Sequence, residues 1–168
     1  MWVKNILQKY LMKINISYFK INMPKKYKTN LIIKKVLKIC KAELKINENL
    51  ELSILITSKE HIKELNFRYR NINKYTNVLS FSQNFDSSKM PSSNKLLGDL
   101  VLCPEKIRME AKLYLKKFED HFSHVILHGL LHLLGYNHSE KKDKLIMEYM
   151  EKKILSKLLI GNPYVIGN

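Results

Sequence analysis

Apolar positions change period several times along the chain, and each change marks an element. From Lys13 to Ile21, Ile14, Ile16 and Tyr18 or Phe19 alternate with polar residues, the two-residue period of a strand. Pro24 ends that run. Ile32, Ile33, Val36, Leu37, Ile39, Cys40 and Leu44 then recur at helical spacing, with Thr29 placed to cap the helix N-terminus. Leu52, Ile54 and Ile56 predict a second strand over Leu50–Thr57, and Ser58 caps a short helix running through Leu65 to Tyr69.

Val78 to Phe81 is a short β-rich run, and the polar, serine-rich stretch Gln83 to Lys95, with Pro91, reads as a loop. Leu100 to Cys103 is another strand, entered through Gly98-Asp99 and stopped by Pro104. Helical periodicity fills about 105–117, 119–134 and 139–160, with Gly161 and Pro163 ending the last helix. Strands interspersed with helices, and helices gathered at the C-terminus, predict an α+β fold: a single compact domain with a small mixed β-sheet packed by helices. The domain is expected over 13–168, with 1–12 a dispensable N-terminal extension.

Composition narrows the class. With 168 residues, 45% hydrophobic and 27% charged, the chain is long enough to bury a core and too apolar to be disordered. Met1 to Tyr18 is broken by Lys4, Gln8, Lys9 and Lys13, so neither a signal peptide nor a membrane span fits, and a cytoplasmic protein is expected. Cys40 and Cys103 are far apart and form no CxxC, the pattern of two reduced thiols. The formal net charge of +15 favours encounter with polyanions. Joint richness in Lys, Ile and Asn is also what an AT-rich genome produces, so charge alone does not establish nucleic-acid binding.

The chemistry is concentrated between Phe122 and His138. His128 and His132 are four apart, about 40° of rotation and ~6 Å of rise on a helix, so both imidazoles leave one face. Gly135 permits the left-handed backbone that stops a helix and turns the chain back, and His138 returns as a third nitrogen. Three protein nitrogens leave one vertex of a zinc tetrahedron open, the pattern of a catalytic site. This spacing is shared with metzincin proteases, but where those carry a glutamate base this chain has Gly129, which cannot move a proton. His121 and His124 extend the stripe, and His124 is expected to support or pack against the ligands rather than join them. Arg68 and Arg70, before the polar turn that leads to Val78, are candidates for phosphate contact, because a guanidinium fork matches phosphate oxygens.

Three segments together resemble the YbeY family of bacterial metal-dependent endoribonucleases. They are Leu65–Phe81 with Tyr69-Arg70 and Thr76-Asn-Val-Leu-Ser-Phe, Leu97-Gly-Asp-Leu100, and the His128–His138 motif with Gly129; the ending Asn162-Pro-Tyr164 is also similar. The resemblance implies one Zn²⁺ per chain, bound by His128, His132 and His138, with Arg70 at the site and His128 and Arg70 as the catalytic residues. It implies cleavage of single-stranded RNA, in maturation of the 16S rRNA 3′ end and in ribosome quality control, with the ribosome or its small subunit as partner. Two departures stand out. Asn137 replaces the family's aspartate before the last histidine; it can cap a helix starting near Ser139 but supplies no charge to orient a ligand. Tyr75 and Ser82 stand where prolines are usual, which loosens turns without touching the chemistry. Asp99 is a candidate supporting carboxylate or general base, or a plain turn residue beside Gly98; a histidine released from the metal is the other candidate base. Two competing expectations are a non-catalytic RNA-binding assembly factor braced by zinc, and a zinc peptidase, which lacks its base at Gly129.

Overall fold

In a computed structural model of the chain, the described residues are 12–23, 26–46, 50–82 and 95–167. Four strands and five helices follow one another among them: β1 (Lys13–Phe19), α1 (Lys26–Glu43), β2 (Leu50–Thr57), α2 (Lys59–Arg70), β3 (Val78–Ser82), β4 (Lys95–Leu102), α3 (Pro104–Leu113), α4 (Phe118–Leu133) and α5 (Lys141–Lys157). The sheet order is β1-β2-β4-β3, with β1, β2 and β4 parallel and the edge strand β3 antiparallel to β4. This is the expected α+β domain with a small mixed sheet.

Alternation decides which side of each strand meets which helix. On β2, Leu50, Leu52, Ile54 and Ile56 are buried and join Leu100 and Leu102 of β4 in the main core. Ile33, Val36, Leu37 and Cys40 of α1 and Phe122, Ile126, Leu127 and Leu130 of α4 complete it. At about 1.5–3 kcal/mol per fully buried large side chain, this core is the principal stabilising term. On the opposite side of the sheet, Ile62 of α2 covers Leu79, Val101 and Cys103, a much smaller cluster. Both cysteines are buried and free, and burial pushes the Cys40 thiol up to about 12, so neither is poised for redox chemistry.

Three expectations from sequence are corrected. Thr29 is not a cap: α1 begins at Lys26, and Thr29 lies inside it, buried, with Oγ1 3.8 Å from Met23 Sδ. The lysines of that first turn carry no apolar signal, so periodicity placed the start too late. β4 begins at Lys95 rather than Leu100, because Gly98 does not break the strand. It sits opposite a register shift at Glu51/Leu52, with φ +145°, and a Cβ there would lie 2.3 Å from the Phe81 carbonyl oxygen. Asn137 caps no helix, since α5 starts at Lys141 with Glu140 at its N-cap. Ser58 does cap α2, accepting the His61 N–H at 3.4 Å. Of the expected loop Gln83–Lys95, residues 83–94 lie outside the described residues and Lys95 opens β4; residues 1–11 of the expected extension also lie outside them, and Met12 is buried in the core.

Candidate metal centre

Helix α4 carries the site because it is buried on almost every side. Phe122, Val125, Ile126, Leu127, Leu130 and Leu131 fix it against the sheet and the helices around it, and Glu119 and Asp120 favour its positive end. Gly129 is where it meets the sheet most closely. A Cβ there would come within 2.9 Å of Leu100 Cδ2, 3.1 Å of Val78 Cγ2 and 3.2 Å of Ser80 Oγ, and Ser80 Oγ–H donates to the Gly129 carbonyl at 3.2 Å. Glycine at this position lets the helix lie close to β3 and β4. Any larger side chain here would press on Leu100, Val78 and Ser80.

The helix ends in a Schellman turn. The Gly135 N–H donates to the His132 carbonyl at 3.0 Å, and the Tyr136 N–H to Leu131 at 3.0 Å. Gly135 takes φ +91°, the left-handed conformation expected of it. The turn brings His138 back over the helix end. Ring centroids are 4.6 Å apart for His128–His132, 4.9 Å for His132–His138 and 5.5 Å for His128–His138. One ligand atom from each of the three lies within 4.8 Å of the others, so the trio could hold a metal ion.

The outer nitrogens explain why the inner ones converge. His128 Nδ1 is 2.8 Å from Glu151 Oε1, and His132 Nδ1 is 3.1 Å from the Tyr136 carbonyl. Each acceptor fixes the proton on Nδ1 and leaves the Nε2 lone pair facing inward, the tautomer that a metal ligand needs. The two Nε2 atoms are 3.1 Å apart. Two lone pairs facing at that distance call for a cation between them, and this is the chemical fit of the site to a metal. Burial, reinforced by the neighbouring His128 and His138, lowers the His132 pKa and favours the neutral ring that can ligate.

Glu151 was not found by sequence reasoning, although it left a signal. It occupies the buried stripe of α5 with Met147, Ile154 and Leu155, and a carboxylate on an apolar stripe needs partners. It is fully buried. Burial alone would raise its pKa, but His124, His128 and the Tyr164 hydroxyl outweigh this and hold it down to about 2. His124 Nε2 is 3.4 Å from Oε2, and the Tyr164 hydroxyl donates to the same oxygen. A second trio of His124, His128 and Glu151 also has the composition of a metal site. Its carboxylate is already engaged by the His128 ring and by the Tyr164 hydroxyl.

The histidines open onto a cleft of about 730 Å³. Arg70, at the end of α2, also lines it, with Thr76, Asn77 and Ser80, and so do Tyr136 and Asn137 of the histidine turn. Asn71, left-handed at φ 57°, ends α2 immediately after Arg70. Arg68 and His124 do not line this cleft, and neither does Asp99, which belongs to a separate groove on the α2 side of the sheet with Ser17, Ser53, Tyr69 and Phe81. Asn137 Oδ1 accepts the His138 N–H at 2.7 Å, so this side chain shapes the turn. Asn77 is held from behind: its Nδ2 donates to Glu110 Oε2 at 2.9 Å, and Glu110 also meets His121 Nε2 at 3.0 Å.

Residues 13–159 match the family model described as Endoribonuclease YbeY. The chain belongs to the YbeY endoribonuclease family. An Endoribonuclease YbeY of Buchnera aphidicola from Acyrthosiphon pisum is 42% identical over 167 residues, covering 98% of each chain. The one from Schizaphis graminum is 45% identical over 143 residues, covering 85% of each. The solution structure of TM1509 from Thermotoga maritima superposes with a TM-score of 0.60 at 28% identity, covering 86% of this chain and 88% of that one. The span matched to YbeY includes the three histidines, Arg70 and Glu151, and ends before the turn that carries Tyr164.

Proposed function

We propose that this chain is a single-strand-specific endoribonuclease that depends on one Zn²⁺ held by His128, His132 and His138. Its substrate is ribosomal RNA, at the 3′ end of the 16S molecule and in ribosome quality control, and it works in the cytoplasm with the ribosome or its small subunit as partner. The observation that carries this reading is the meeting of two functions in one cleft: its lining holds the three histidines that could bind a metal together with Arg70, Thr76, Asn77 and Ser80.

When bound, the ion supplies Lewis-acid charge to the scissile phosphodiester. Glu151 and the Tyr136 carbonyl hold His128 and His132 in the ligating tautomer. Arg70 grips a phosphate oxygen and neutralises the charge that builds in the transition state. Thr76, Asn77 and Ser80 offer hydrogen bonds to sugar or base edges along the cleft. A single strand can splay its backbone into such a cleft, whereas a duplex holds its phosphates on a rigid A-form rail. The net charge of +15 gathers the polyanion. Peptidase chemistry has no support: the position of the protease base is Gly129, closed against Leu100 and Val78.

The test uses a labelled single-stranded RNA and its duplex form, with wild type, His128→Ala and Arg70→Ala. Cleavage of the single strand alone, blocked by chelator, abolished by His128→Ala and slowed about 10²–10³-fold by Arg70→Ala, is expected. RNA binding without cleavage by a folded, zinc-loaded wild type would replace the enzyme with a zinc-braced binding factor.

A further inference from the structure

The ending Asn162-Pro163-Tyr164 has no part in the cleft, yet its tyrosine reaches the metal centre from behind. The turn is built from its own residues: Asn162 Oδ1 accepts the Tyr164 N–H at 3.0 Å, and the Asn162 carbonyl accepts the Val165 N–H at 3.3 Å. Two contacts then clamp it to the connection between α3 and α4. Gly167 N–H donates to the Tyr114 carbonyl at 3.1 Å, and the Lys116 ammonium donates to the Pro163 carbonyl. The Tyr164 ring stands edge-on to His124, centroids 5.8 Å apart, with the Lys152 ammonium 5.2 Å from its centroid. Held in this way, its hydroxyl donates to Glu151 Oε2, while Glu151 Oε1 takes the His128 ring.

A fully buried carboxylate is directional only when both of its oxygens are held. Without the Tyr164 hydroxyl, Oε2 keeps only the longer contact with His124 Nε2 at 3.4 Å, so the group gains freedom about its last torsion and Oε1 meets His128 Nδ1 over a wider range of angles. We propose that Tyr164 is a positioning residue of the metal centre: through Glu151 it sets the orientation of His128, so docking of the C-terminal turn governs metal affinity. The inference rests on the assignment of His128, His132 and His138 as metal ligands. It differs from a merely structural role, in which Tyr164 anchors the tail and leaves the metal untouched.

Tyr164→Phe separates the two, because it keeps the ring against His124 and Lys152 and removes one O–H. Zn²⁺ affinity is measured by competition with a chromogenic chelator, beside the visible absorption of the Co²⁺-loaded protein and the melting temperature of the metal-free protein. Outer partners of metal-bound histidines are worth about 10–100-fold in affinity, so Glu151→Gln is expected within that range and Tyr164→Phe near its lower end, about 10-fold. The Co²⁺ spectrum should shift in both, metal-free melting should fall by roughly 3–10 °C in Tyr164→Phe, the cost of one hydrogen bond to a buried charge, and the double variant should bind no more weakly than Glu151→Gln alone. Asn162→Ala, which loosens the turn and leaves the tyrosine intact, should lower affinity by a smaller factor. Unchanged affinity and spectrum in Tyr164→Phe overturn the inference while the metal assignment stands. A wild type that takes up neither ion overturns the assignment and the inference together.

Discussion

Helix α4 holds two histidines that start from the same position and end in different chemistry. His121 and His128 lie two turns apart on the same side of the helix, and each bonds a partly or fully buried glutamate from a neighbouring helix, Glu110 and Glu151. In His121 the carboxylate takes Nε2, the far nitrogen, and the ring is enclosed. In His128 it takes Nδ1 and leaves Nε2 facing His132 and His138. On the proposed assignment, ligand character would come from which nitrogen the carboxylate occupies and what the other one faces. A buried position on a helical histidine stripe is not enough.

Substitutions at the two histidines should give the widest separation. His128→Ala is expected to abolish both bound metal and RNA cleavage, whereas His121→Ala should keep one metal per chain and measurable cleavage; metal analysis and a gel assay read both. Equal loss in the two variants would dissolve the distinction. Arg70, which shares the cleft, gives the next effect. Removing a single donor aimed at developing charge costs about 10²–10³ in rate, so Arg70→Ala should lose that much with metal content unchanged, while Arg68→Ala, outside the cleft, should cleave normally.

The sheet side of α4 sets a limit of another kind. Gly129→Glu, which restores the protease residue, drives a charged side chain into Leu100, Val78 and Ser80 and should destabilise the fold by about 3 kcal/mol or more, measured by denaturant unfolding. A stable Gly129→Glu protein would show that the close approach is not required.

The smallest effect concerns the His121 side alone. Burial would raise the Glu110 pKa, but His121 of α4 and Asn77 before β3, together with Lys106 of its own helix, lower it below its usual 4.5. Below that value the unfolded carboxylate binds a proton that the folded one still refuses. The stability Glu110 contributes is therefore complete above about pH 4.5 and is lost as pH falls through the lowered folded value. Glu110→Gln should flatten this acid-side slope in thermal melts and leave metal content unchanged.

Sequence patterning resolved what depends on one element and missed what depends on two. Leu52, Ile54 and Ile56 marked β2 to the residue, because a strand buried on one face writes its period directly into the chain. His128, His132, Gly135 and His138 were legible because a helix and its terminating turn bring them together locally. Gly98 misled, since a glycine at a bulge looks like a glycine at a break until the opposing strand is known. Glu151 sits thirteen residues past His138 among lysines and glutamates, and only the packing of α5 against α4 singles it out. The ending that holds Tyr164 was legible only as a likeness, and its contact with Glu151 comes from the folded turn; Asp99 was suggested by its motif neighbours, but its strand parity turns it to the other side of the sheet.

The central claim is that the cleft cuts single-stranded RNA and needs a metal on its three histidines to do so. The most direct measurement is the rate of cleavage of an end-labelled single strand by the full chain as purified, after chelation and removal of the chelator, and after Zn²⁺ is returned at one equivalent. The account predicts cleavage that disappears on chelation and returns with one equivalent, with the duplex form resistant throughout. Cleavage that persists in protein shown to be metal-free and folded would contradict it.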